Sequence, residues 1–471
     1  MFINNIMRYR IMTSSGVANS VLVAITVVVL LLGLGIGIII SPAIMGMGQI
    51  QTVTKTETTT VGAGATVTRT VGTTVTQTSV STVTVTQQTG PRKTEYTIGF
   101  AYELTGAQAS FGNDMKDAGL LAIAEINSIL EKSGAPIRFK SVVEDTASTP
   151  EGTVRAVQSL VENHRASIIV GPISSLGVAA VKGYLDQKEV VLVSCCSTAV
   201  TLKLSGDYIF RVIASADVQG KALSQSVLAE GFKKAAVIYR AEAFGESLFK
   251  EFKKDFESAG GTVAAVPYAP DQSDYSAEVA KLSEEVRKLG PSETAVVAVS
   301  FQTDGLLILG LARLDETLSN VRWFGINTLR VPAFLPPQAP KEIAEFMVKV
   351  KMTSSYTSPP ANPRYFHFLE AFEKLHGRKP GPQAELGYDA AWVAINAILA
   401  AGTDNGRILK DVIIPVAREY MGASGHIWMD DAGDRAIQDY TISRIIAEGG
   451  SFKWVDIAFY DASANKIRPI S

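Results

Sequence analysis

The chain has 471 residues and nearly balanced charge, 44 Lys and Arg against 46 Asp and Glu, for a net charge of -2. That balance argues against a nucleic-acid partner and gives no steering toward a charged polymer. Two cysteines cannot build a disulfide framework and four scattered histidines show no metal-ligand spacing, so stability must come from apolar packing, and no metal or cofactor is expected.

Between Arg10 and Lys55 no side chain is ionised, and Val21 to Ile40 is almost wholly Val, Leu, Ile and Gly. In a helix such a run spans the roughly 30 Å hydrocarbon core of a bilayer. Arg8 and Arg10 precede it, which places residues 1–20 in the cytoplasm, 21–40 as a single-pass anchor in the cell membrane, and the remainder outside. Cleavage as a signal, including pilin-like processing near Gly16, stays open as the alternative. No cysteine lies near the run to carry a lipid, and Gly33 with Gly37 makes a small-xxx-small pair. Residues 41–95 follow as a stalk. From Thr52 to Thr89 Thr recurs with Val, Gly and Ser and very few charges. The alternation imitates a strand, but the segment has no large side chains for a core, so it reads as a disordered or extended stalk, with or without O-linked sugars. No Asn-x-Ser/Thr sequon occurs.

From Tyr96 onward strands alternate with amphipathic helices. Tyr96–Tyr102 is followed by a helix with Met115, Ala118, Ala122 and Ile126 on one face. Then come strand Ile137–Val143, helix Glu151–Asn163, strand Ser167–Val170, helix Leu176–Leu185 and strand Val190–Val193. The alternation resumes with strand Ala235–Tyr239, helix Glu246–Ala259, strand Thr262–Val266, helix Glu278–Leu289 and strand Thr294–Val299, and the C-terminal part adds strands Tyr440–Ile446 and Trp454–Tyr460. Such alternation predicts an α/β fold of parallel sheets with helices on both faces, and ligands bind beyond the carboxyl ends of the strands.

Two of those strand ends carry small residues and hydroxyls before a helix: Gly171-Pro172-Ile173-Ser174-Ser175 and Ser194-Cys195-Cys196-Ser197-Thr198. Free N–H groups and the helix dipole favour an anion there, although each hydroxyl can equally be a simple helix cap. Adjacent Cys195 and Cys196 leave a vicinal disulfide, buried thiols and thiol chemistry all open. Trp428 to Asp434 is Asp-rich but lacks the spacing of a calcium loop, and reads as a turn held by Asp side chains.

The order of these segments resembles the leucine/isoleucine/valine-binding proteins, type I periplasmic solute-binding proteins of ABC transporters. The resemblance is carried by Ile98-Gly99 through Leu104-Thr105-Gly106, Phe111-Gly112, Ala124-Glu125-Ile126-Asn127, both hydroxyl loops, Tyr208 to Arg211 with Asp217 and Gln219, and Phe244-Gly245-Glu246. It implies two lobes joined by a three-strand hinge with ligand between them, lobe 1 from 96–215 and 352–427, lobe 2 from 216–351 and 428–471, and crossings near Ala214–Ala216, Val350–Thr353 and His426–Met429. It also implies that Ser175 and Thr198 hold a carboxylate, that Cys196 offers its N–H, and that Phe111, Phe244, Phe301 and Tyr388 wall the pocket. At the place of the family's ammonium-pairing acid stands Asn327, for which Asp217 or Asp304 would have to compensate.

The resemblance implies a monomeric extracytoplasmic binding protein, not an enzyme, that captures an apolar amino acid or a related acid or amide and delivers it to ABC permease subunits. The alternative is a tethered sensory receptor of the same fold acting through a signalling partner. No nucleophile elbow, zinc motif or paired-acid arrangement supports a hydrolase.

Overall fold

The computed structural model describes residues 93–470 except 358 and 360, and the backbone of 53–60, 66–73 and 79–85. The chain falls into two compact units, Met1–Gly90 and Pro91–Ser471. The expected anchor at 21–40 lies outside the described residues, among which no helix is long and apolar enough to cross a membrane. Within the first unit, β1 (Val53–Thr60), β2 (Thr66–Thr73) and β3 (Ser79–Val85) pair in turn as an antiparallel meander. Alternating Thr and Val are strong strand formers, which suits all three runs.

The second unit opens with β4 (Glu95–Tyr102), α1 (Ala109–Lys132), β5 (Arg138–Asp145), α2 (Pro150–Gln158), β6 (Ile168–Val170), α3 (Ser175–Lys188), β7 (Val191–Ser194) and β8 (Ile209–Ala214). Met115, Ala118, Ala122 and Ile126 of α1 form its buried face, as their spacing predicts. Helix α1 starts hard against the end of β4: a Cβ at Gly112 would lie 1.9 Å from the Glu103 carbonyl oxygen, so only glycine fits there.

Next come α4 (Ala216–Ala229), β9 (Lys234–Arg240), α5 (Ala243–Ser258), β10 (Thr262–Tyr268), α6 (Ser276–Leu289), β11 (Thr294–Val299), α7 (Gln302–Ala312), β12 (Arg322–Gly325), α8 (Lys341–Lys349) and β13 (Thr353–Thr357). Helices α9 (Pro363–His376), α10 (Ala384–Ala401) and α11 (Gly406–Arg418) return to pack in the first lobe's core. They are followed by a short ladder of β14 (Met421–Gly422) and β15 (Gly425–His426), then β16 (Asp434–Arg435), β17 (Tyr440–Glu448), β18 (Ser451–Asp461) and β19 (Lys466–Pro469).

Two sheets result. The first lobe has six parallel strands in the order β16-β8-β7-β6-β4-β5. The second has eight, β10-β9-β11-β12-β13-β17-β18-β19, parallel as far as β13 and antiparallel beyond it. The chain leaves the first sheet at Ser215, between β8 and α4. The other two boundaries differ from expectation. Strand β13 pairs with β12 and β17, so the return to the first lobe falls after Thr357, later than Val350–Thr353. Strand β16 still pairs with β8, so the last crossing lies between Arg435 and Tyr440, beyond His426–Met429. The turn before β16 is tied by Asp430, whose Oδ1 accepts from the amides of Ala432 (3.0 Å) and Asp434 (3.1 Å).

Candidate ligand-binding site

Ser174 caps α3 by accepting from the Gly177 amide at 2.9 Å, which makes Ser175 the first helical residue. The Ser175 hydroxyl oxygen accepts from the amides of Thr198 and Ala199, both at 3.1 Å, and so fastens the two hydroxyl loops together. Ser194 adds a second tie, donating to the Pro172 carbonyl (2.6 Å) and accepting from the Ser197 amide (3.1 Å). Thr198 Oγ1, by contrast, is buried with no partner among the described residues. Beneath these loops the Arg211 guanidinium, buried and ion-paired with Asp434, donates to the carbonyls of Ser197 (3.2 Å) and Ala199 (2.8 Å). The amides of Ile173 and Ser174, in the first hydroxyl loop, are taken at 3.0 Å each by the Glu103 carboxylate, whose burial pushes its pKa up to about 7. The Cys196 amide makes a long contact of 3.4 Å to Ser194 Oγ. Cys195 and Cys196 are free thiols, the first buried, the second half-buried.

Facing these loops is an aromatic wall. Phe244 and Phe301 stack with ring centroids 5.2 Å apart and planes 20° apart. The Arg240 guanidinium lies 4.4 Å from the Phe301 centroid and pairs with Asp304, which also accepts from the Tyr275 hydroxyl at 2.9 Å. Phe111 of α1 is half-buried and packs against the cores of both lobes. A run of side-chain amides crosses between the lobes. Gln219 Nε2 donates to Asn327 Oδ1 (2.7 Å), Asn327 Nδ2 to Gln383 Oε1 (2.8 Å), and Gln383 Nε2 to Thr357 Oγ1 (2.9 Å).

Seven of the expected residues, Phe111, Ser175, Cys196, Thr198, Phe244, Phe301 and Asn327, line one cavity of about 610 Å³, part of it open to solvent. Tyr388 does not. Its ring is buried on α10 between Phe368 and Trp392 and its hydroxyl donates to Glu125, so it belongs to the first lobe's core. Asp217 and Asp304 do not compensate for Asn327. Asp304 is neutralised by Arg240 away from the cavity, and Asp217 accepts from Ser215 and from the Val218 amide (3.1 Å). None of the residues lining the cavity is charged. The sequence reading missed Thr357, Gln383 and Tyr440, which also line it.

A family model described as "Periplasmic binding protein" matches residues 95–450. The chain belongs to the periplasmic binding protein family. An uncharacterized protein of Methanocaldococcus jannaschii is 25% identical over 402 residues, covering 81% of this chain and 93% of that one. The leucine-, isoleucine-, valine-, threonine- and alanine-binding protein of Pseudomonas aeruginosa is 29% identical over 189 residues, 39% of this chain and 50% of its own length. Among solved structures, an ABC-transporter solute-binding protein of R. palustris in complex with 4-hydroxybenzoate superposes with a TM-score of 0.65 at 18% identity, over 78% of this chain and 97% of that one.

In this periplasmic binding protein the crossings between lobes are cross-tied close to the cavity. The Ala214 amide donates to Gln438 Oε1 (2.9 Å), joining the first crossing to the last, and the Ala216 amide donates to the Thr198 carbonyl (2.7 Å), joining the first crossing to the hydroxyl loop. Arg435, just before the last crossing, donates to Ser424 Oγ (3.0 Å) and to the Ser424 carbonyl (2.9 Å). Asp389 accepts from the amides of Ala423 and Ser424, each at 2.8 Å. Glu385, in the first turn of α10, is buried with Oε1 unpartnered, and burial pushes its pKa up to about 8.

Proposed function

We propose that this protein is an extracytoplasmic solute-binding protein that captures a small carboxylate lacking a charged amine and delivers it to an ABC permease, acting as a monomer held at the membrane by its N-terminal segment. The observation that carries this reading is the cavity's lining, which has no ionised side chain but has the unpartnered Thr198 hydroxyl beside Ser175 and the start of α3. An ammonium enclosed there would meet no counter-charge, and burying an unpaired ion costs several kcal/mol. A carboxylate can be held by hydroxyl and helix-start donors alone. Asn327 serves an amine poorly, because it brings no charge and one of the two lone pairs of its Oδ1 already accepts from Gln219. Phe111, Phe244 and Phe301 suit an apolar, aromatic or branched body. The complex of the R. palustris relative with 4-hydroxybenzoate supports an aromatic acid as one such ligand, and the Pseudomonas relative's name supports the branched-chain skeleton.

Isothermal calorimetry on the purified full chain tests this with three matched ligands: an amino acid, its des-amino acid, and the amide of that acid. The des-amino acid is expected to bind tightest and the amide to lose nearly all affinity. Tighter binding of the amino acid, or of the amide, overturns the reading.

A further inference from the structure

The carboxylate loops leave one polar region of the cavity without a task. Tyr440 lines the cavity from β17, and its buried hydroxyl has no partner among the described residues, which costs the protein the desolvation of that group. In the antiparallel pairing of β13 with β17, Tyr440 stands directly opposite Thr357. Residues paired in that way share a face, with Cβ atoms about 5 Å apart. Thr357 Oγ1 already accepts from Gln383, which leaves its own O–H to donate. Gln383 accepts from Asn327 at Oε1 and uses one Nε2 hydrogen on Thr357, so its second hydrogen remains. Side by side, the three residues offer uncharged donors from a tyrosine, a threonine and a carboxamide. An apolar ligand body would leave all of them unpaired.

We propose that Tyr440, Thr357 and Gln383 form a second polar subsite that takes an uncharged acceptor, a hydroxyl or keto oxygen, on the ligand. The solute is then a hydroxy or keto carboxylic acid and not a plain hydrocarbon acid. This rests on the carboxylate reading of the cavity and narrows it. Tyr440 acts here as a specificity determinant, contacting the part of the ligand that the Ser175–Thr198 loops do not reach. Thr357 and Gln383 set the direction in which the subsite donates.

Calorimetry on the full chain with matched acids tests the subsite: benzoate against 3- and 4-hydroxybenzoate, and 3-methylbutanoate against 3-methyl-2-oxobutanoate. At least one oxygenated acid is expected to bind about tenfold tighter than its parent, the ratio one added hydrogen bond supplies. Tyr440→Phe and, independently, Thr357→Val are expected to bring that ratio toward one. Equal affinity for parent and oxygenated acids in the natural protein overturns the subsite while the carboxylate reading stands. A ratio that survives both substitutions overturns it equally. If no acid binds and the corresponding amides do, the carboxylate reading and the subsite fall together.

Discussion

At the scale of single residues, Ser175 and Thr198 divide the work of the anion loop in a way that mutation can separate. Ser175 Oγ accepts two backbone amides, so it is part of the scaffold as well as the site. Thr198 Oγ1 has no partner among the described residues. Thr198→Val should leave the melting temperature of the ligand-free protein unchanged or slightly raised, yet weaken carboxylate binding roughly 10- to 100-fold, the cost of one charge-assisted hydrogen bond. Ser175→Ala should lower both; thermal melts beside calorimetry read the contrast. Glu385 makes a separate prediction about pH. Burial raises its pKa from 4.5 to about 8, so the folded protein holds a proton that the unfolded chain releases. The stability this contributes is complete below about pH 4.5 and is lost as pH rises through about 8. Glu385→Gln, neutral throughout, should flatten the fall of melting temperature across that window. An unchanged pH profile would mean that Glu385 is not buried as described.

At the scale of elements, the hydroxyl loop after β7 depends on a residue of β8 and one from far along the chain. Arg211 and Asp434 are both essentially inaccessible to water, and Arg211 also holds the carbonyls of Ser197 and Ala199. Removing one partner of such a pair strands the other charge, so Asp434→Ala should destabilise by about 3–5 kcal/mol and disorder the loop; denaturant melts check the first part and loss of ligand binding the second. The alternation from β4 to β7 and from β9 to β11 was legible because apolar strands and amphipathic helices differ in period, whereas β8 and α4 were not read from it. Strand β13 was not, because Thr-Ser-Ser-Tyr-Thr has no apolar pattern, and its burial comes from strands on both sides of it. Seven expected residues line one cavity; Ser175 and Thr198 were legible from the hydroxyl loops at strand ends, whereas Phe111, Cys196, Phe244, Phe301 and Asn327 came from the family resemblance. Tyr388 was misplaced because position on a helix does not reveal which way the ring faces. The partners of Asn327 could not be read, since Gln219 and Gln383 lie 108 and 56 residues away in sequence.

For the whole molecule, a cavity shared by two lobes and cross-tied crossings make ligand binding a question of compactness. The amide run leaves the second lobe through Gln219 and Asn327, reaches Gln383 of the first lobe, and returns to the second at Thr357. Asn327→Ala removes its middle and strands buried polar atoms on both sides, which should cost about 1–3 kcal/mol and favour the open arrangement. Small-angle scattering should then show a larger radius for the ligand-free variant than for the natural protein. Saturating carboxylate should shrink that radius and raise the melting temperature by mass action. Tight binding with no change in radius would speak against closure.

Phe111 gives this opening a thermal signature. Its ring packs against the cores of both lobes at once, so parting them must wet a phenyl face that the closed protein keeps dry. Hydrating apolar surface carries a positive heat capacity, and the attraction that keeps such surface dry weakens on cooling. The empty cleft should therefore gape more readily in the cold. Ligand capture should show a binding enthalpy that grows more exothermic with each rise in temperature, a slope that Phe111→Ala would make shallower.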